Sequence, residues 1–116
     1  MHNPYSRLTG KTILIVDDSY INNSIVRTML ERNGVNVLVA VDGSDALSQY
    51  SASKEFSISA ILMDLAMPVM GGIEACQKIR AMDRQDAKVI PVVALTASGE
   101  DTCKTQCLAA GMTDCL

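Results

Sequence analysis

Asp17 and Asp18 directly follow the apolar run Thr12-Ile13-Leu14-Ile15-Val16, Asp64 ends the run from Ile58 to Met63, and Thr96 follows Val92-Val93-Ala94-Leu95. Carboxylates are hard oxygen ligands that suit Mg²⁺, an ion that keeps several waters and seldom takes an all-protein cage. Three of them brought close together would repel, and a divalent cation would relieve that repulsion while leaving room for a phosphoryl oxygen. A carboxylate can also be the nucleophile, giving an aspartyl-phosphate. Phosphoryl transfer needs mostly positioning and charge neutralisation, so a metal, a few carboxylates and one hydroxyl donor such as Thr96 can suffice. Taken singly, each residue has a plainer use. An Asp-Asp pair can cap a helix, a threonine can close a loop, Gly71-Gly72 can make a sharp turn, and Met63, Met67 and Met70 can simply pack. The pattern becomes specific only if all of the polar groups share one edge of one sheet.

The elements that would put them there are legible as an alternation. Thr12–Val16 reads as a buried strand, and Ser19 can cap a helix carrying Ile21, Ile25, Val26, Met29 and Leu30 at helical spacing. Asn33-Gly34 stops that helix, because glycine tolerates the left-handed conformation. A second strand is expected from Val35 to Val41, followed by a turn at Asp42-Gly43 and a short helix capped by Ser44 with Ala46, Leu47 and Tyr50. A polar connection, Ser51 to Ser57, leads into the strand ending at Asp64. A third helix begins at Gly72 with Ile73, Cys76, Ile79 and Met82 facing inward, and Asp83-Arg84-Gln85-Asp86 reads as a solvated loop. In the fourth apolar run Pro91 cannot donate a ladder hydrogen bond, so the strand proper starts at Val92. A fourth helix opens at Ser98 or Gly99 and ends at Gly111, and Asp114-Cys115-Leu116 starts a fifth strand. Strict alternation predicts an α/β fold with a doubly wound parallel sheet of flavodoxin-like order 2-1-3-4-5, which sets Asp17 and Asp18 beside Asp64.

Bulk properties agree with one small domain: 116 residues, 48% of them apolar and 20% charged. A net charge of −3 argues against a nucleic-acid surface, which needs clustered lysine and arginine. No segment has the ~18 consecutive apolar residues of a membrane span, and the N-terminus lacks the core of a signal peptide. A cytoplasmic, reduced protein is expected. Cys76, Cys103, Cys107 and Cys115 show no C-x-x-C pair and read as small buried hydrophobes. His2, in a polar tail of residues 1–10, has no assigned role.

Ile13-Leu14-Ile15-Val16-Asp17-Asp18-Ser19, Met63-Asp64-Leu65-Ala66-Met67-Pro68-Val69-Met70-Gly71-Gly72 and Ile90-Pro91-Val92-Val93-Ala94-Leu95-Thr96-Ala97 together resemble the receiver domain of two-component response regulators, from about residue 11 to the end. The resemblance implies that Asp64 is the phosphoacceptor, charged by a phosphohistidine. It further implies that Asp18 binds Mg²⁺ directly, Asp17 through water and Ala66 through its backbone carbonyl, and that Thr96 is the switch hydroxyl. The implied partner is a histidine kinase or a histidine phosphotransfer protein, docking on the first helix at Ile21, Asn22 and Ile25. The wording around Asp64 and the proline before the fourth strand look most like receivers of hybrid histidine kinases.

Three departures stand out. Gly71 replaces the family's usual Asp, Cys115 falls where many members carry an aromatic residue, and the family's phosphate-binding Lys would lie two positions beyond Leu116. The final helix would be missing with it, so the chain is expected to be a marginal monomer or to shield the open face by self-association. A degenerate receiver serving only as an interaction module is the main alternative. A phosphohydrolase with an aspartyl intermediate would need a second Asp where Ala66 stands, and no G-x-G-x-x-G supports a dinucleotide enzyme. The expected activity is therefore that of a phosphoacceptor switch rather than an enzyme.

Overall fold

A computed structural model describes residues 9–65, 70–95 and 107–115. The elements are β1 (Thr12–Val16), α1 (Tyr20–Arg32), β2 (Asn36–Ala40), α2 (Gly43–Ala52), β3 (Ala60–Asp64), α3 (Gly72–Arg80), a 3₁₀ turn at Asp86–Lys88, β4 (Val92–Leu95) and β5 (Asp114–Cys115). All pairings are parallel and the sheet order is β2-β1-β3-β4-β5, as the alternation predicts. The start of the fourth helix at Ser98 or Gly99 lies outside the described residues; residues 107–109 are helical and Gly111 follows at a positive φ of 97°.

Period-two alternation along β1 divides the core. Leu14 and Val16 face one cluster with Ala46 and Tyr50 of α2, Ala75, Cys76 and Ile79 of α3, and Ile61 and Met63 of β3. Ile13 and Ile15 face a smaller cluster with Leu30 of α1 and Val35. α2 and α3 thus cover one face and α1 covers the β1–β2 part of the other, helices on both sides as parallel crossovers impose. Pro91 sits just outside β4, where its carbonyl accepts from the Ile61 amide at 2.9 Å and its lack of an N–H costs no ladder bond.

Two expectations need correction. The cap of α2 is Asp42 rather than Ser44: its Oδ1 accepts from the Asp45 amide at 2.7 Å, and the helix starts two residues early, at Gly43. The segment Asp83–Asp86 is solvated only at Asp83 and Gln85; Arg84 and Asp86 turn inward. Arg84 folds back over α2, donating Nε and Nη2 to the two Asp86 carboxylate oxygens at 3.0 Å each and Nη1 to the Ser53 carbonyl at 3.0 Å and to the Tyr50 carbonyl. Its guanidinium lies 4.2 Å from the centroid of the Tyr50 ring. Asp86, 2% exposed, also accepts the Phe56 amide at 2.9 Å, an amide presented by a residue at φ 64°. Local polarity reads as solvation, but the bidentate pairing and the aromatic face make burial tolerable.

Burial pushes the Asp86 carboxyl upward, but the Arg84 guanidinium and the Phe56 amide outweigh it and hold the group below its ordinary value. Burial, then the Asp86 carboxylate, push the Tyr50 phenol up to about 12. A depressed carboxyl stabilises the fold above the unfolded-state value of ~3.9, and that contribution fades as pH falls through the folded value. Asp86→Ala strands a buried cation and should cost ~3–5 kcal/mol in urea unfolding. Asp86→Asn should lower stability at neutral pH and flatten its loss below about pH 4.

Candidate active site at the carboxyl edge of the sheet

The register determines which side chains meet. Val16 pairs with Met63 and with Ala40, so the residues that follow Val16 and Met63, Asp17 and Asp64, leave neighbouring strands at the same level. One carboxylate oxygen from each of Asp17, Asp18 and Asp64 lies within 4.8 Å of the other two. The sequence expectation for the acidic cluster therefore holds in space.

Each carboxylate sits differently. Asp17 is 7% exposed and is oriented by the entry into α1: its Oδ1 accepts the Ser19 amide at 2.8 Å and its Oδ2 the Asn22 side-chain amide at 3.4 Å. Its backbone is fixed as well, with the amide donating to the Ala40 carbonyl at 3.1 Å and the carbonyl accepting from Asn23 Nδ2 at 2.8 Å. Ser19 caps α1 as expected, its hydroxyl accepting from the Asn22 amide at 3.2 Å. The helix-entry use of the Asp-Asp pair is therefore real for Asp17, and it leaves Asp18 exposed at the mouth of the cluster. Asp64, half-buried, closes β3 opposite Leu95 of β4.

Gly72, buried at the start of α3, lies so near Asp64 that a Cβ there would overlap the Asp64 carbonyl oxygen and come within 2.9 Å of Met63 Cγ. The Gly72 amide donates back to the Leu65 carbonyl at 3.2 Å, closing the turn after the acidic residue. Sequence reading took Gly71-Gly72 as a plain sharp turn; the close approach of a helix to a strand end is the added reason for glycine. Ala66 and Thr96 lie outside the described residues.

The expected docking residues flank the same edge. Ile21 and Ile25 are 69% and 61% exposed, and Asn22 is exposed beside them; Tyr20 and Met29 extend the apolar stripe along α1. Val26 and Leu30 take the inward side. Among the described residues no helix is long and apolar enough to cross a membrane.

Comparison with known proteins converges on the same architecture. The chain is 33% identical over 111 residues to hybrid signal transduction histidine kinase I of Dictyostelium discoideum, covering 94% of this chain but 6% of that protein. Among solved structures, the receiver domain of a Pseudomonas aeruginosa sensor histidine kinase, with a magnesium ion coordinated in its active-site cleft, superposes with a TM-score of 0.80 at 34% identity over 93% of this chain and 84% of that one. The receiver domain of a Saccharomyces cerevisiae response regulator, solved with a histidine phosphotransfer protein, superposes at 0.82 with 29% identity over 94% and 79% of the two chains. The response regulator receiver domain family matches residues 13–116, and with the parallel sheet, the register and the acidic trio in place, this chain belongs to that family of two-component and phosphorelay receivers.

Proposed function

We propose that the domain, residues 11–116 after a polar tail, accepts a phosphoryl group from a phosphohistidine onto Asp64. The convergence of Asp17, Asp18 and Asp64 carries this reading. The donor set is all carboxylate, a fit for Mg²⁺. Asp18, exposed, would hold the ion directly with Asp64 and the backbone carbonyl of Ala66. Asp17, already accepting two hydrogen bonds, would reach it through water. When bound, Mg²⁺ offsets the negative charge of the carboxylates and the phosphoryl oxygens. A carboxylate oxygen of Asp64 attacks phosphorus; an O–P bond forms as the P–N bond breaks, its electron pair remaining on the imidazole nitrogen. Thr96 directly follows Leu95, the register partner of Asp64, and supplies the switch hydroxyl. The domain thus acts as a cytoplasmic phosphoacceptor switch, with at most slow self-phosphorylation and autodephosphorylation.

The donor in this reading is a histidine kinase or a histidine phosphotransfer protein, and the docking face is α1 at Ile21, Asn22 and Ile25. Support comes from the exposed apolar stripe beside the acidic pocket and from the yeast receiver solved with its phosphotransfer partner. The hybrid kinase relative favours a receiver that works as one module of a longer signalling chain.

Incubation with acetyl phosphate and Mg²⁺, followed by intact mass, should show one added phosphate. Asp64→Asn should abolish it and Thr96→Ala should leave labelling largely intact. A domain that binds its partner regardless of Asp64→Asn and Mg²⁺ would instead be a pure interaction module. Saturation with Mg²⁺ at a hundred times its Kd should add ~2.7 kcal/mol, a rise in Tm of roughly 10 °C that EDTA reverses. Asp18→Asn should erase most of that rise while raising the metal-free Tm, because it relieves repulsion. Ile25→Asp should slow transfer from a phosphorylated phosphotransfer protein about tenfold or more without changing acetyl phosphate labelling.

A further inference from the structure

Leu65 and Met70, the described residues that border positions 66–69, each accept a backbone hydrogen bond. The Leu65 carbonyl accepts the Gly72 amide. The Met70 carbonyl accepts at 3.1 Å from the amide of Gly43, the first residue of α2. That second bond comes from an element that contributes no side chain to the acidic cluster. Gly43 is buried, and a Cβ built on it would stand 2.7 Å from the Met70 carbonyl oxygen, 2.8 Å from Met70 Cγ and 2.9 Å from Met70 Cβ. Two of these three obstacles belong to backbone or to the first side-chain atom, so a rotamer change of Met70 cannot clear them.

The cap of α2 agrees with this contact. With Asp42 as the capping residue, Gly43 is the first helical position, where an amide has no partner within the helix. Here that spare donor is directed to Met70. Glycine is a poor helix former and alanine the best, so helix propensity alone would favour Gly43→Ala. Its φ lies outside the left-handed region, so backbone freedom does not require glycine either. The remaining reason for glycine is close approach to Met70.

The geometry points to Gly43 as a positioning residue for the phosphoacceptor: by docking the start of α2 directly on Met70, it fixes the entry into α3, where Gly72 stands against the Asp64 carbonyl. This rests on the function proposed above, in which Asp64 holds Mg²⁺. Substitutions behind metal ligands that disturb their orientation weaken metal affinity by about 10–100-fold.

The test uses the whole chain. Gly43→Ala is expected to fold, by circular dichroism and a cooperative melt, yet bind Mg²⁺ about tenfold or more weakly by calorimetry and label slowly with acetyl phosphate. Ser44→Ala, one residue on and exposed, should match the native chain in all three. In the native chain, Mg²⁺ should slow hydrogen exchange at the Gly43 amide beyond any change at Ala46, whose amide bonds to Asp42 within the same helix turn. A role in packing alone predicts equal changes at the two amides. Native Mg²⁺ affinity and labelling in Gly43→Ala, or equal exchange at both amides, overturns the inference while leaving Asp64 as acceptor. Should Gly43→Ala fail to fold, the amide comparison in the native chain decides. A native chain that neither binds Mg²⁺ nor takes phosphate refutes the proposed function and this inference with it.

Discussion

Three like charges held within a few ångströms are an unfavourable arrangement, and the structure around residues 17, 18 and 64 exists in opposition to it. The parallel register forces the encounter: β1, buried on both faces, and β3, buried on one, run in the same direction and end at the same level. No local adjustment can separate Asp17 from Asp64 without slipping a strand, and a slip would turn every core side chain of that strand to the other face. The repulsion is thus stored by the apolar core. It stays available to any species that brings positive charge.

The surroundings grade the three carboxylates. Asp17 gives its lone pairs to the first turn of α1, and Asn23 fixes its carbonyl, so it serves the fold and the site together. Asp18 is left to solvent. Asp64 lies between them at the end of β3, with the glycine entry of α3 closing in behind it. The function proposed for this domain has it bind an ion, accept phosphate and then release it. Such a graded set is better suited to that cycle than three equivalent ligands enclosed in a cage.

Most of this was legible because the signals were short-range and redundant. Apolar runs ending in acid located β1 and β3, strict alternation implied a parallel sheet and its order, and Ser19 and Asn33-Gly34 bounded α1 where the structure does. Pro91 was placed correctly by the missing amide alone. One miss came from contacts between distant parts of the chain. Asp83-Arg84-Gln85-Asp86 has the composition of a surface loop, and nothing local shows that Tyr50 and Ser53, more than thirty residues earlier, will receive Arg84. Asp42 and Ser44 are both good caps, and local sequence does not choose between them; in the structure Asp42 takes the Asp45 amide. Thr96 was legible from its place at the end of the fourth apolar run, whereas Ala66 came from the motif alone.

The Arg84–Asp86 pair lies before β4 and against the end of α2, at the opposite edge of the sheet from the acidic trio. Attraction is concentrated at one edge and repulsion at the other, so the two edges answer to different demands. Damage at the arginine edge depletes the folded population that a cell's proteases spare, and the output falls because fewer copies survive. Under the proposed function, neutralising Asp18 at the acidic edge does the reverse, leaving plentiful, sturdier copies that carry no message. Variants of this chain that look alike in a signalling assay should therefore separate cleanly once abundance is counted.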